Sequence, residues 1–240
     1  MIYGMNPVLE ALRGTRRAFE LFVARNLADR RLEKLLALAK EKGVPVRQRE
    51  KGDIARLCGT EHHQGVALRM EPFAYADLHD LLAATTGGNG LILVLDGIQD
   101  PHNLGALIRT AACAGAAGVV IPKDRAVGVT PTVEKVSAGA AETVPVAQVS
   151  NIAQALDLLK EHGFWTYGLA GEGAASLYDQ NLIGNVAIVV GGEGEGIRPL
   201  VKKGCDVVVS IPLSGGVSSL NASVAGGIAL FEVVRQRLKK

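Results

Sequence analysis

Cysteine is scarce in this chain: Cys58, Cys113 and Cys205 are the only three, widely spaced and outside any CxxC. An odd number at such spacing supports neither a disulfide framework nor a paired-cysteine zinc site. His62 and His63 have no neighbouring cysteine or carboxylate cluster in sequence, so no metal is expected there either. No apolar run reaches the ~18 residues that a spanning helix needs. The leading MIYGMNPVLE lacks a signal-peptide pattern. A reducing cytoplasm is therefore the expected compartment, with no membrane partner. Also missing is a GxxxxGK phosphate loop ending in Ser or Thr.

What is present describes a folded protein. The 240 residues are 48% hydrophobic and 21% charged, enough for one large domain or two modest ones. The formal net charge of +2 hides an asymmetry. Residues 1–70 carry 14 Lys and Arg against 8 Asp and Glu, and residues 71–240 carry 12 against 16. A basic front on an acidic body suits contact with a polyanion, although ordinary solvated helix charge gives the same count.

Punctuation divides the chain in three. In residues 1–70, Asn6-Pro7 opens a short helix and Asp29 a second, closed by Gly43. With LFVA, VPVRQ, a helix near 53–57 and GVALR these make a compact αβαβαβ unit. Residues 71–89 run into the glycine-rich TTGGNG at 85–90 and read as a linker. From residue 90 to 240 six apolar runs, LILVLDG to DVVVSIPL, are continuous rather than alternating, as in strands buried on both faces. Helical patterns lie between several of them. The expected fold is therefore α/β, a parallel sheet with helices on both sides and ligands at the strands' carboxyl ends.

Three strand ends differ from simple connections. After LILVLDG, Asn103 falls where a helix N-cap belongs, and capping alone would explain it. In that helix Leu104, Leu107, Ile108 and Ala111 form an apolar stripe, and Arg109 projects roughly opposite. After VAIVV, glycines 191, 192, 194 and 196 surround Glu193 and Glu195. Two carboxylates there favour a ligand with hydroxyls or positive charge over a pyrophosphate. After DVVVS, Ser214, Ser218, Ser219 and Asn221 supply more polar groups than one cap requires. The helix that follows buries a stripe of Val224, Ile228, Phe231 and Val234 in this reading. Its Gly226-Gly227 pair, costing about 1 kcal/mol per glycine relative to Ala, calls for tight packing, a partner subunit or a ligand.

Taken together, NLGALIRTA, GGEGEGI and IPLSGGVSSLNASVA resemble the three ordered motifs of the SpoU branch of the SPOUT superfamily of RNA methyltransferases. YGMNPVLEAL and HHQGVAL resemble the small ribosomal-protein-like RNA-binding domain that precedes the catalytic domain in that family. The resemblance covers nearly the whole chain. It implies a C-terminal trefoil knot, S-adenosyl-L-methionine as cofactor and a homodimer with the site near its interface. The implied activity is methylation of a ribose 2′-hydroxyl of guanosine in 23S rRNA. Carried onto matching positions, Asn103, Arg109, Glu193, Ser219 and Asn221 become the catalytic set, and Gly191, Ile211 and Leu220 the cofactor contacts. The role of Glu195 stays open.

An arginine that keeps its proton is better suited to stabilising a developing alkoxide than to acting as a base. Arg13, Arg16, Arg17, Arg30, Arg31, Arg47 and Arg49 are candidates for gripping rRNA. Rival readings are a tRNA ribose methyltransferase of the same family, a non-catalytic rRNA-binding assembly factor and, on glycine-rich turns alone, a nicotinamide dehydrogenase.

Overall fold

The computed structural model describes residues 1–14, 16–85, 87–173, 175–216 and 218–238. They form two compact units, Met1–Ala74 and Tyr75–Lys240.

The first unit runs β1 (Ile2–Tyr3), α1 (Met5–Arg13), β2 (Ala18–Ala24), α2 (Leu32–Glu41), β3 (Val46–Arg49), α3 (Lys51–Cys58) and β4 (Val66–Met70). Its sheet has the order β1-β4-β2-β3, with only β2 and β3 parallel. Alternation along β2 sorts its side chains between two layers. Leu21 and Val23 join the core under α1 and α2, while Phe22 and Ala24 pack with Ile54 of α3. The first helix begins at Met5, one residue ahead of the expected Asn6 cap, and the Asn6 side-chain Oδ1 instead accepts from the Arg31 guanidinium at 3.1 Å. Gly43 ends α2 at φ 66°, the left-handed position a glycine fills at no steric cost. His63 is buried, and its Nδ1 accepts the Gly65 amide at 3.0 Å, so it fixes a turn.

The second unit runs α4 (Leu78–Ala83), β5 (Leu91–Asp96), α5 (Pro101–Cys113), β6 (Gly118–Pro122), α6 (Pro131–Val136), β7 (Val146–Val149), α7 (Ile152–Glu161), β8 (Trp165–Leu169), β9 (Ala175–Ser176), β10 (Val186–Gly191), α8 (Pro199–Gly204), β11 (Val207–Ser210) and α9 (Ala222–Leu238). Seven strands pair in the order β7-β6-β5-β10-β8-β11-β9, every pairing parallel. Ile92, Val94, Ala187 and Val189 point to the face covered by α4, α7 and α8. Their buried alternates, Leu93, Leu95, Ile188 and Val190, point to the opposite face, where α9 lies on β10 and against α5. Part of the stretch with linker composition is thus structure: Leu78, Leu81 and Leu82 of α4 are core residues.

The C-terminal helix departs from the expected burial. Gly226, Ala229, Leu230 and Val233 are buried, whereas Val224 and Phe231 are 49% and 48% exposed. Both sides of α9 are apolar, so periodicity alone does not choose between them. The glycine chooses. A Cβ at Gly226 would stand 2.5 Å from a Leu107 methyl of α5, while one at Gly227 would meet Thr110 at an ordinary 3.6 Å.

This contrast is measurable. Gly226→Val should cost about 1–3 kcal/mol through overpacking, whereas Gly227→Ala should be neutral or gain up to about 1 kcal/mol from helix propensity. Urea denaturation checks the pair, and equal effects at both positions would contradict the packing described.

Candidate active site

The carboxyl ends of β5 and β10 are adjacent in the sheet, so the loops that follow them meet. Their backbones touch closely. A Cβ at Gly192 would lie 2.3 Å from the Gly97 carbonyl oxygen of the other loop, and within the loop after β10 one at Gly191 would lie 2.0 Å from the Gly196 carbonyl carbon. Side chains are excluded at both places. Gly194 and Gly196, at φ 92° and 67°, complete a tight return on the β10 side.

An ion pair ties this return to the sheet. Asp96, the last residue of β5, is 1% exposed and accepts three bonds from Arg198. The Arg198 amide donates at 2.8 Å to one carboxylate oxygen, and the guanidinium donates to the other at 2.8 and 2.5 Å. Bonding to Asp96 raises the Arg198 pKa further above its usual value, against a smaller opposing effect of burial. Neither partner of this pair was among the site residues expected from sequence. The available signal is an acid ending a fully buried apolar strand, which requires a partner.

The first motif helix is capped by Asp100, not by Asn103. The Asp100 carboxylate accepts the His102 amide at 2.9 Å, and Pro101 occupies the first turn. Asn103 therefore lies three residues inside, 7% exposed, with its carboxamide free for other partners. Its Nδ2 donates to Glu193 Oε1 at 2.5 Å, and its Oδ1 accepts from Asn221 Nδ2 at 3.0 Å. Asn221 in turn caps α9: its Oδ1 accepts the Ser223 amide at 2.8 Å and the Ser223 hydroxyl at 2.6 Å. One residue thus caps a helix and reaches across to another motif.

Glu193 closes the chain of bonds. Its Oε2 accepts the Gln99 amide at 3.3 Å. Burial pushes its carboxyl up, but the Asn103 bond and backbone donors at Glu193, Gln99 and Asp100 together outweigh this and hold it below the ordinary value. The result is a fixed anion beside a buried amide.

Next to this network lies a cavity of about 550 Å³, a size typical of small-molecule sites. Gly191, Glu193, Ile211, Ser219, Leu220 and Asn221 all line it. So do Glu172, Glu195 and Lys202, with Lys202 donating to Glu172 at 2.6 Å. Three carboxylates against one ammonium, with apolar walls at Ile211, Leu213 and Leu220, suit a cationic ligand that also carries a flat apolar group. S-adenosylmethionine, with its sulfonium and adenine, has that chemistry. Among the described residues no cluster of His, Cys, Asp or Glu could hold a metal ion, and no helix is long and apolar enough to cross a membrane.

Arg109 stands apart. Six residues beyond Asn103, it is about 9 Å farther along α5 and about 240° around it. It is exposed and does not line the cavity.

Comparison with known proteins adds to this geometry. Residues 90–231 match the SpoU rRNA Methylase family, and residues 1–76 match the family described as RNA 2′-O ribose methyltransferase substrate binding. The chain is 46% identical over 239 residues to the 23S rRNA (guanosine-2′-O-)-methyltransferase RlmB of Xylella fastidiosa, covering 98% of this chain and 96% of that protein. It is 44% identical to the RlmB of Pseudomonas putida, covering 100% and 97%. Among solved structures, the SpoU methyltransferase AviRb of Streptomyces viridochromogenes in complex with AdoMet shares the fold, with a TM-score of 0.66, 23% identity and coverage of 100% and 90%. The tRNA-modifying TrmH/SpoU enzyme of A. aeolicus gives a TM-score of 0.56 at 28% identity, over 68% of this chain and 81% of its own.

The Asp96–Arg198 pair makes a prediction of its own. Asp96→Asn should lower stability by about 1.5–3 kcal/mol, the range for hydrogen bonds to charged groups, and should loosen the loop at 192–198. Urea denaturation reads the first effect and amide hydrogen exchange at 192–198 reads the second; unchanged values of both would remove the pair's assigned role.

Proposed function

The chain belongs to the SpoU rRNA methylase family, and on that premise we propose how its site transfers a methyl group from S-adenosylmethionine to a guanosine ribose 2′-hydroxyl in 23S rRNA. The observation that carries the reading is the bonded chain Asn221–Asn103–Glu193 at the wall of an acidic, partly apolar cavity. Whole-chain similarity to rRNA enzymes favours rRNA over tRNA as substrate. The tRNA-modifying relative above spans only about two thirds of this chain.

When bound, the cofactor supplies an electrophilic methyl group. The rest falls to this chain. Gly191, Ile211 and Leu220 hold the cofactor, largely by backbone approach and apolar contact. Asn103, Glu193, Ser219 and Asn221 orient the ribose; Asn103, Glu193 and Asn221 are already locked by hydrogen bonds and lose little freedom on binding. Arg109 stabilises negative charge on the 2′-oxygen and on nearby phosphate, and the hydroxyl proton passes to solvent water as that oxygen accepts the methyl group. Glu195 lines the same cavity without an assigned role.

Arg109 needs a neighbour to enter such a site, and we assign that neighbour to a second copy of the chain. The half-exposed Val224 and Phe231 on α9 give an apolar face that a homodimer would cover. The C-terminal knot belongs to the same reading. It is supported by the order of the elements: β11 lies beyond β8 in the sheet, yet α9, the helix that follows it, packs on β10 and α5. A cytoplasmic location follows from the substrate.

Two outcomes check this reading. Asn103→Ala, Asn221→Ala and Arg109→Ala should each reduce transfer of labelled methyl groups to unmodified 23S rRNA by at least about a hundredfold, the scale of losing one positioned donor. Near wild-type rates in all three would reject the assignment. Phe231→Glu should turn the dimer into a folded monomer in size-exclusion chromatography with light scattering; a wild-type monomer, or an unaffected variant, would reject the interface.

A further inference from the structure

The first unit carries a second cavity, of about 560 Å³, between the end of α1, the start of β2 and the turn after α2. Arg16, Arg17, Phe19 and Lys42 line it, and no carboxylate does among the described residues. Arg16 also donates to the Glu71 carbonyl at 3.1 Å, and several other arginines of this unit are paired with acids. Arg13 is paired with Glu10, Arg31 with Asp29, and Arg47 with Glu20. The Arg31 bond holds the Asp29 carboxyl down at about 2.

Phe19 is the unusual member. Between Ala18 and Glu20 the pairing of β2 with β4 shifts, so that Ala18 faces Met70, Glu20 faces Arg69 and Phe19 is the extra residue. Such bulges re-aim a side chain, and here the ring is left 39% exposed. The Arg17 guanidinium carbon sits 5.5 Å from the ring centroid, within the range of a cation–π contact. At the opposite wall Lys42 reaches the Gly14 carbonyl at 3.4 Å, and Gly43 has open space where a side chain would begin.

We propose that this groove binds an unpaired nucleotide of the RNA substrate, its base stacked on the Arg17–Phe19 pair and its phosphate held by Lys42. The proposal rests on the reading above that the substrate is RNA, and it adds a preference for single strand over duplex. A flat platform flanked by cations is the arrangement that serves unstacked bases, whose faces are hidden in a helix. Phosphate contact alone would need neither the bulge nor the exposed ring.

Fluorescence anisotropy of the full chain with a labelled oligouridylate and a labelled blunt-ended RNA duplex tests this. Phe19→Leu should weaken oligouridylate binding about tenfold, the scale of one base–aromatic stack, and leave duplex binding within twofold. Arg17→Gln should do the same without touching the ring, and Lys42→Gln should weaken both ligands. Circular dichroism establishes that each variant is folded. The proposal is overturned if Phe19→Leu and Arg17→Gln bind oligouridylate like the parent, or lose both ligands equally. A wild-type chain that shows the anisotropy difference but methylates no RNA would overturn the assigned reaction and leave the groove standing.

Discussion

The second unit depends on how one buried carboxamide is satisfied. Asn103 sits inside a helix whose cap is already supplied, so its amide must find partners elsewhere or remain costly. It finds them on two other loops, donating to Glu193 and accepting from Asn221. Those loops follow β10 and β11. The first is a neighbour of the loop after β5, but β11 lies beyond β8 in the sheet. The chain must therefore return across the strand ends before α9 can begin. Three segments distant in sequence become one polar wall because a single side chain has two ends.

Around that wall the backbone does more than the side chains. Gly192 lets two loops approach at distances no Cβ permits, Gly191 lets the loop after β10 fold tightly on itself, and Gly226 lets α9 settle on α5. The Asp96–Arg198 pair then pins the acidic loop to the sheet. A rigid frame of this kind suits a reaction in which alignment is the main protein contribution, since the cofactor brings its own reactivity. Arg109 is exposed and stands outside the cavity that Glu193, Ser219 and Asn221 line.

Much of this was legible in the sequence, for physical reasons. Continuous apolar runs announced strands buried on both faces, and three polar strand ends announced where ligands gather. The motif residues Glu193, Ser219 and Asn221 do line one cavity with Gly191, Ile211 and Leu220. What misled was local. An Asp-Pro step at 100–101 moved the cap three residues ahead of Asn103. On α9 two apolar stripes competed, and only the methyl of Leu107, supplied by another helix, decided which was buried. The Asp96–Arg198 pair spans 102 positions, beyond the reach of any periodicity. The leucines of α4 were obscured by the glycines that follow them.

The central claim is that the Asn103-centred wall methylates one guanosine of 23S rRNA. Mapping 2′-O-methylation across the RNA of cells lacking this gene, complemented with the wild-type chain or with Asn103→Ala, tests it most directly. The account predicts one unmethylated guanosine in 23S rRNA, restored by the wild-type chain and not by the variant. An unchanged 23S map, a loss in tRNA alone, or full restoration by Asn103→Ala would contradict it.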